Sequence, residues 1–215
     1  SFVQRHEDVT EARAIIGNRA AIIPTLAPPA AVDQLDAIVA VSDAVMVARG
    51  DLGVELPAER VPAIQKRIVG SCRRLGKPVV VATQMLESMI ESPVPTRAEA
   101  SDVATAIYDG ADAVMLSAES ASGKHPVEAV DMMHRIIEQV ESDPLYRQLI
   151  NASHASAQPG CDVAEAVCCA MRSTVALLHA ATIVCYTSSG HTSLRAARER
   201  PQSPILSLTP NLAAA

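Results

Sequence analysis

The chain has 215 residues, a length that allows one large domain or two small ones. Its 18 Lys and Arg against 24 Asp and Glu give a net charge of −6, which argues against binding nucleic acid through phosphates. Hydrophobic residues make up 49% and charged residues 20%, so we expect an ordered core. No apolar run approaches the ~20 residues of a transmembrane helix. Both ends resemble cuts in a longer chain rather than natural termini.

Short apolar segments recur along the first two thirds of the chain and predict four β-strands. Each segment is rich in Val, Ile or Ala and too short for a helix, which is typical of strands buried on both faces. The segments are Ala20–Ile23, Ala44–Ala48, Val79–Ala82 and Ala113–Leu116. The alternation of these strands with helical patterns predicts a parallel sheet, and four such units make half of a TIM-type (β/α)8 barrel.

Helical patterns separate the predicted strands. Thr96–Glu99 forms a capping box that opens a helix ending at Gly110, and Pro126 begins a long amphipathic helix through Val140. Two further helices are predicted from apolar positions at helical spacing, at Val32–Val41 and Val61–Leu75. The connections between helices and strands are short, as expected for βα units.

Residues 153–160 form a segment of small and polar residues that ends in Pro-Gly, and it predicts a linker between two domains, residues 1–152 and residues 161–215. Beyond it we predict a helix, a strand, a helix and a second parallel strand, which make a partial parallel α/β domain. These elements are Asp162–His179, Thr182–Tyr186, Thr192–Arg200 and Pro204–Leu208.

The five cysteines lie in apolar surroundings and contain no C-x-x-C pair. We therefore predict buried free thiols in a reducing, cytoplasmic compartment rather than a disulfide framework or zinc site. They are Cys72, Cys161, Cys168, Cys169 and Cys185.

Chemically capable residues follow the predicted strands, at the edge of a parallel sheet where active sites form. Gly50 allows close backbone approach and Asp51 can ligate Mg²⁺, although a turn with Asp51 as a helix cap explains the same residues. The Thr83 hydroxyl can donate to a substrate or to a neighbouring carbonyl.

The turn after the first strand of the second domain is rich in hydroxyl groups. Its residues are Thr187, Ser188, Ser189, Gly190, His191 and Thr192. Backbone N–H groups at a helix N-terminus can hold a phosphate, and ordinary helix capping by Ser and Thr accounts equally well for this composition.

Taken together, four strings resemble the pyruvate kinase family, in order along nearly the whole chain. They are Asp43–Glu55 (DAVMVARGDLGVE), Lys77–Met89 (KPVVVATQMLESM), Pro93–Val103 (PVPTRAEASDV) and Asp112–Ser120 (DAVMLSAES). By this resemblance Ser1–Val3 ends the fourth barrel strand, the predicted strands are barrel strands five to eight, and residues after about 155 begin the family's C-terminal α/β domain.

The resemblance implies phosphoryl transfer from phosphoenolpyruvate to ADP, giving pyruvate and ATP with Mg²⁺ (or Mn²⁺) and K⁺. Asp51 is then a metal ligand, and the backbone N–H groups of Gly50 and Asp51 hold the substrate carboxylate. Thr83 lies near the enolate carbon, and Arg49 and Thr83 are the candidate catalytic residues. The family also implies a homotetramer and a sugar-phosphate effector site at the Thr187–Thr192 turn.

One segment departs from the family pattern. Residues 22–29 read IIPTLAPP, where the family reads approximately IIAKIENP, so the phosphoryl-binding Lys falls on Thr25 and a metal-binding Glu on Ala27. Losing the Lys costs at least ~10²-fold in rate by analogy with oxyanion-hole donors. Because the family's first barrel half and lid domain are also missing by this resemblance, we expect no measurable kinase activity from this chain alone. Engineering, a degenerate paralogue or a sequence error each explain the change.

Two other functions are compatible with the sequence. One is a pseudoenzyme or regulatory module that binds a sugar phosphate at the Thr187–Thr192 turn. The other is a different barrel lyase or aldolase that uses phosphoenolpyruvate or pyruvate, against which the Ala82–Met89 string argues.

Overall fold

The computed structural model describes residues 3–27, 29–152 and 162–212. The chain divides into two compact units, Ser1–Leu149 and Ile150–Ala215, and each is described by itself. The linker predicted at residues 153–160 and the expected strand end at residues 1 and 2 lie outside the described residues, and Val3 is in no strand.

The described strands of the first unit form one parallel sheet. They are β1 (Thr25–Leu26), β2 (Val45–Ala48), β3 (Val79–Ala82) and β4 (Ala113–Met115), in the order β1-β2-β3-β4 with every neighbouring pair parallel. The central strands are the most deeply buried: Val45, Val47, Val79 and Val81 have no exposed surface. The predicted parallel sheet is therefore confirmed, and β2 and β3 are its buried central strands.

The first strand lies later in the chain than Ala20–Ile23, and that prediction was wrong. The carbonyls of Ile22 and Pro24 accept hydrogen bonds from the N–H groups of Asp43 (3.1 Å) and Met46 (3.0 Å), so the segment already runs beside β2. Pro24 has no N–H to donate, and the paired strand begins only after it, at Thr25. β1 lies at an edge of the described sheet, where a neighbouring proline is tolerated.

Helices precede, connect and follow these strands along the chain. They are α1 (His6–Ile16), α2 (Pro29–Asp33), α3 (Leu35–Val41), α4 (Arg49–Glu55), α5 (Val61–Leu75), α6 (Arg97–Asp109), α7 (Ala118–Ala121) and α8 (Pro126–Ser142), followed by α9 (Pro144–Ala152); short 3₁₀ turns span Ala58–Arg60 and Glu87–Ile90. α5, α6 and α8 confirm the predicted helices. The helix predicted at Val32–Val41 is instead two helices that break at Gln34. α1, α7 and α9 were not predicted.

The ends of α6 are fixed by the residues that predicted them. The Thr96 hydroxyl accepts from the Glu99 N–H at 3.2 Å, and the Glu99 carboxylate accepts from the Thr96 N–H at 2.7 Å. Gly110 ends the helix with a left-handed φ of 97°, a conformation that costs glycine little. These two caps therefore fix where α6 begins and ends.

A repeated sequence ties the residues just before β2 and β4 to an earlier part of the chain, Ile22 ahead of β1 in one case and Val79 of β3 in the other. Asp43 and Asp112 each begin an Asp-Ala-Val-Met string. The Asp43 carboxylate accepts from the Ile22 N–H at 2.6 Å and the Asp112 carboxylate from the Val79 N–H at 2.8 Å. In each case the Asp N–H also donates back, to the carbonyl of the same residue. The first residue of the repeated string therefore makes the same two-way contact at two places in the first unit.

The hydrophobic core of the first unit lies between the sheet and the helices. It is aliphatic and includes Ile38 and Val39 of α3, Ile68, Val69 and Cys72 of α5, Val103 and Ala106 of α6, and Met85, Leu86 and Met89 from the segment after β3. Each of these ten side chains is fully buried, so the segment that follows β3 is anchored by its own apolar residues.

The second unit contains α10 (Val163–Leu178), β5 (Ile183–Tyr186), α11 (His191–Arg198) and β6 (Ile205–Leu208). β5 and β6 pair in parallel, as predicted, and Asp162 caps α10 through the Glu165 N–H at 2.8 Å. A small core joins the helices to one face of the strands through Cys168, Val175, Ile183, Cys185 and Ala196. Within the described ranges, no helix is both long and apolar enough to cross a membrane.

Candidate functional site

The carboxyl ends of the strands in the first unit lie at one edge of the sheet. Leu26 pairs with Val47, Ala48 with Ala82, and Ala82 with Met115. The residues that follow these positions are consequently brought to a common edge. Ala27, Arg49 and Thr83 each come directly after a strand, so three positions from separate sequence segments lie along that edge.

Gly50 and Thr83 are in direct contact at this edge. The Gly50 N–H donates to the Thr83 hydroxyl oxygen at 2.8 Å. A side chain at position 50 would be tight, since an added Cβ would lie 3.3 Å from that same oxygen. The close backbone approach expected of Gly50 is thus real, and its partner is the candidate catalytic threonine.

The orientation of the Thr83 hydroxyl follows from its two partners. Its oxygen lies 2.6 Å from the Ala82 carbonyl oxygen, which can only accept, so the hydroxyl hydrogen points at Ala82. Its lone pair accepts from Gly50. In this arrangement neither the Gly50 N–H nor the Thr83 proton is directed at a substrate. A rotation about the Thr83 side-chain bond would release both groups together.

Arg49 is buried, with 8% of its surface exposed, and its guanidinium contacts the segment after β3. Nε and one terminal nitrogen donate to the Thr83 carbonyl at 3.3 and 2.9 Å. The same terminal nitrogen donates to the Gln84 carbonyl at 2.8 Å and contacts the Met85 sulfur. The other terminal nitrogen pairs with the Asp102 carboxylate at 2.5 Å. The Arg49 donors are therefore directed at protein acceptors.

The segment that Arg49 binds has an unusual backbone. Thr83 and Gln84 have φ values of 69° and 53°, in the left-handed region that glycine favours. Each such non-glycine residue costs about 1–3 kcal/mol, and a β-branched Thr is the less suited of the two. Hydrogen bonds to a charged group contribute about 1.5–3 kcal/mol each, which is enough to offset that cost.

Asp51 lies in the first turn of α4 and is exposed. The donor set for a metal at this edge is small: among the described residues, no group of three His, Cys, Asp or Glu side chains is gathered for a metal ion. Mg²⁺ binds through one or two carboxylates together with substrate oxygens and water. Asp51 fits that scheme as a single carboxylate, with the remaining ligands coming from outside these residues.

The two positions that depart from the family pattern are on β1 and directly after it. Thr25 is the first residue of β1 and is half-buried, whereas Ala27 follows β1 and has 1% of its surface exposed. Because they are two residues apart in extended chain, their side chains leave the same face. Neither a Thr nor an Ala supplies the charge that a Lys and a Glu would.

Two carboxylates of α6 support this edge: Asp102, which was not predicted from the sequence, and Glu99, which was predicted only as part of the capping box. Asp102 of α6 holds Arg49, and Glu99 accepts from the Ser88 N–H at 2.7 Å and the Ser88 hydroxyl at 2.5 Å. Burial raises the pKa of Glu99, but the Ser88 and Thr96 hydrogen bonds outweigh it and hold the pKa below its usual value. A buried Arg after a strand needs a carboxylate partner, which was the available signal for Asp102.

Glu119 is a third carboxylate; it was noted only as one of the polar residues after the fourth predicted strand, and it is 3% exposed. It accepts from the N–H groups of Leu86 (3.2 Å) and Ser117 (2.8 Å), so it joins the end of β4 to the segment after β3. Its partners are backbone groups far apart in sequence, and no local pattern indicates them.

The predicted phosphate turn lies in the second unit, between β5 and α11. Thr187 is buried and its hydroxyl oxygen accepts from the Gly190 N–H at 3.0 Å. Gly190 has a left-handed φ of 83° and precedes α11, while Ser188, Ser189 and Thr192 are exposed. The turn is closed by its own Thr187, and its remaining hydroxyl groups face solvent.

The described cysteines are free thiols, as predicted. Cys72, Cys168 and Cys185 are buried and Cys169 is half-buried, whereas Cys161 lies outside the described residues. Burial raises the pKa of Cys72 to about 12, with the nearby Asp112 and Asp36 carboxylates adding to it. Cys72 is therefore a packing residue rather than a nucleophile.

Comparisons with known proteins match both units. The family model described as "Pyruvate kinase, barrel domain" matches residues 1–130, and "Pyruvate kinase, alpha/beta domain" matches residues 165–215. A pyruvate kinase of Methylorubrum extorquens is 55% identical over 210 residues, covering 98% of this chain and 44% of the relative. A pyruvate kinase of Bacillus licheniformis is 47% identical over 215 residues, covering 98% and 36%.

A solved structure gives the same result. A pyruvate kinase from Cryptosporidium parvum aligns with a TM-score of 0.91 at 41% identity, covering 98% of this chain and 45% of that one. The chain thus spans less than half the length of these relatives. Both domain models, the sequence identity and the fold agree, and the chain belongs to the pyruvate kinase family.

Proposed function

We propose that this chain carries part of the site that transfers a phosphoryl group from phosphoenolpyruvate to ADP, giving pyruvate and ATP. The observation that carries the proposal is the contact between Gly50 and Thr83 beside Asp51, at the carboxyl edge of a parallel sheet. Family membership supports the same chemistry, since the relatives are named pyruvate kinase.

In this proposal each residue has a distinct part. The Gly50 and Asp51 N–H groups at the start of α4 hold the substrate carboxylate, and Thr83 lines the pocket near the enolate carbon. A carboxylate that takes the Gly50 N–H displaces the Thr83 oxygen from it, which leaves the Thr83 hydroxyl able to turn from Ala82 to the substrate. Substrate binding and release of the hydroxyl are then one event.

Asp51 would hold Mg²⁺ or Mn²⁺, which supplies positive charge to the transferring phosphoryl group; K⁺ is the expected second cation. With Thr25 and Ala27 at the positions of a cation and a second metal carboxylate, we propose that the chain alone does not turn over. A homotetramer is the proposed assembly of the longer family form. The free thiols among the described cysteines support a cytoplasmic location.

Nuclear magnetic resonance of the ¹⁵N-labelled chain tests the substrate site. Phosphoenolpyruvate added with Mg²⁺ should shift the Gly50 amide signal saturably. The shift should be lost in Asp51→Asn and kept in Glu55→Gln, a matched change to an exposed acid of the same helix. No shift at millimolar phosphoenolpyruvate, or equal responses in the two variants, overturns the proposal. Turnover above background in a lactate-dehydrogenase-coupled assay contradicts the proposed inactivity.

We further propose that the Thr187–Thr192 turn is part of a sugar-phosphate effector site. Its support is the exposed hydroxyl set of Ser188, Ser189 and Thr192 beside the first turn of α11. Calorimetry of the full-length family form with fructose 1,6-bisphosphate and ribose 5-phosphate tests it. Heat that disappears when Ser188 and Ser189 are both changed to Ala supports the site, and no heat at millimolar ligand rejects it.

A further inference from the structure

We propose that Arg49 is a positioning residue: its guanidinium holds Thr83 and Gln84 in their left-handed backbone conformation and so presents the Thr83 hydroxyl to Gly50. The proposal rests on the proposed function only where it takes the Thr83 hydroxyl to act in phosphoryl transfer. The positioning itself is a property of the chain without ligand.

The first support is the match between the strained residues and the contacts. Thr83 and Gln84 are consecutive residues with positive φ, and the carbonyls of these same two residues accept from Arg49. A turn that directs both carbonyls toward one point needs a donor there. A planar guanidinium has several fixed donors and can bind both carbonyls at once, which a lysine ammonium on its flexible stem does less well.

The second support is the way in which Arg49 itself is held. It is 8% exposed, and its ion pair with Asp102 at 2.5 Å fixes the far side of the guanidinium. A buried guanidinium with a carboxylate on one side and carbonyls on the other has one orientation. Asp102 therefore orients Arg49, and Arg49 orients the segment after β3.

The third support is that the alternative role, contact with substrate, has few donors left. Nε and both terminal nitrogens of Arg49 already bind the Thr83 and Gln84 carbonyls and Asp102. Arg49 comes directly before Gly50, whose N–H is the donor to Thr83. The contacts of Arg49 and Gly50, neighbouring residues at the start of α4, thus fix both the backbone and the hydroxyl of Thr83.

The test uses the full chain without ligand and reads local structure by NMR. Arg49→Lys keeps the positive charge but removes the planar guanidinium that binds two carbonyls at once. The hydrogen-exchange rate of the Gly50 amide should therefore rise about ten-fold, as expected for the loss of about one hydrogen bond. The Thr83 Cα chemical shift should move away from its left-handed value. Exchange of Val81, a buried amide of β3, reports global stability and should change much less.

Two further variants keep the test decisive. Asp102→Asn removes the charge that orients Arg49. It should raise the Gly50 exchange rate and move the Thr83 Cα shift in the same direction as Arg49→Lys, by a smaller amount, and it serves as the test if Arg49→Lys does not fold. Lys66→Met removes the ion pair of an exposed Lys with Asp109 and should change neither signal. Gly50 protection that is unchanged in both site variants, or that falls only in step with Val81, overturns the proposal. Because no substrate is present, this result is independent of phosphoenolpyruvate binding.

Discussion

The Gly50 amide and the Thr83 hydroxyl are hydrogen-bonded at 2.8 Å, and the absence of a side chain at position 50 allows it. A Cβ at Gly50 would lie 3.3 Å from the Thr83 hydroxyl oxygen and 3.7 Å from its Cβ. The first of these distances is tighter than ordinary van der Waals contact. The contact between the start of α4 and the segment after β3 at the candidate site therefore depends on glycine.

Gly50→Ala should displace the Thr83 side chain and destabilise the first unit. Overpacking of this kind costs about 1–3 kcal/mol, against a gain of about 0.5–1 kcal/mol for replacing a helical glycine. Gly53 is the matched control, because it lies in the same helix and nothing is within 4 Å of an added Cβ. Gly53→Ala should therefore stabilise. Urea unfolding of both variants measures the difference, and equal effects would contradict the packing argument.

Glu99→Gln should weaken the junction between the Glu87–Ile90 turn and α6. The carboxylate accepts from Ser88 and Thr96, and hydrogen bonds to a charged group contribute about 1.5–3 kcal/mol each when buried, less at this half-exposed site. The folded pKa of Glu99 lies below its usual value of 4.5. Its contribution is therefore complete above that value and is lost as the pH falls through the folded pKa.

The measurement for Glu99 is the free energy of unfolding between pH 3 and pH 7, by urea at each pH. The parent chain should lose stability faster than Glu99→Gln as the pH falls below about 4.5, so the two curves should converge in acid. Glu55→Gln, at an exposed position of α4, should follow the parent. Parallel curves for the parent and Glu99→Gln would exclude the proposed ionic contribution.

Much of the fold follows from local sequence, whereas the contacts of the site do not. The Val-rich runs predicted β2 and β3, and Thr96, Glu99 and Gly110 predicted both ends of α6, because these signals act within a few residues. The first strand begins only at Thr25 because Pro24 has no N–H to donate to β2, and this effect depends on pairing between strands rather than on local sequence. The partners of Arg49 come from residues 83 to 85 and from α6, which are distant in sequence. The left-handed backbone of Thr83 is not indicated by any local sequence pattern.

The two aspartates of the repeated string should differ in their contribution to stability. They are Asp43, two residues before β2, and Asp112, directly before β4. Asp112→Ala leaves the Val79 N–H without its acceptor, and Val79 has no exposed surface. An unsatisfied buried donor costs about 1–3 kcal/mol. Asp43→Ala exposes the half-buried Ile22 N–H to water and removes an ion pair with Arg13, which is worth up to about 1 kcal/mol.

Thermal and urea unfolding of the two aspartate variants measures this order. We expect Asp112→Ala to be the more destabilising. Asp36→Ala is a control, since it breaks an exposed ion pair with Arg74 and a bond from the Ser71 hydroxyl without removing an acceptor from a strand. A larger loss for Asp43→Ala than for Asp112→Ala would show that the two Asp-Ala-Val-Met contacts are not governed by burial of the donor.

Ala27→Glu should place a second candidate metal carboxylate at the edge that carries Asp51, and the variant should bind Mn²⁺ more tightly than the parent chain. Adding a charged ligand to a hard-cation site raises affinity, and we expect at least about ten-fold. Ala27 is 1% exposed, so without metal the new carboxylate should destabilise the chain, and Mn²⁺ should recover that stability by linkage.

Water-proton relaxation with Mn²⁺ measures the affinity, and thermal unfolding with and without Mn²⁺ measures the linkage. Ala30→Glu places the same charge at an exposed position of α2 and should change neither quantity. Asp51→Asn combined with Ala27→Glu should lose the gain, because both carboxylates are needed for one ion. If Ala27→Glu binds Mn²⁺ no better than Ala30→Glu, then position 27 does not face the Asp51 site and the assignment of the lost metal ligand to Ala27 is wrong.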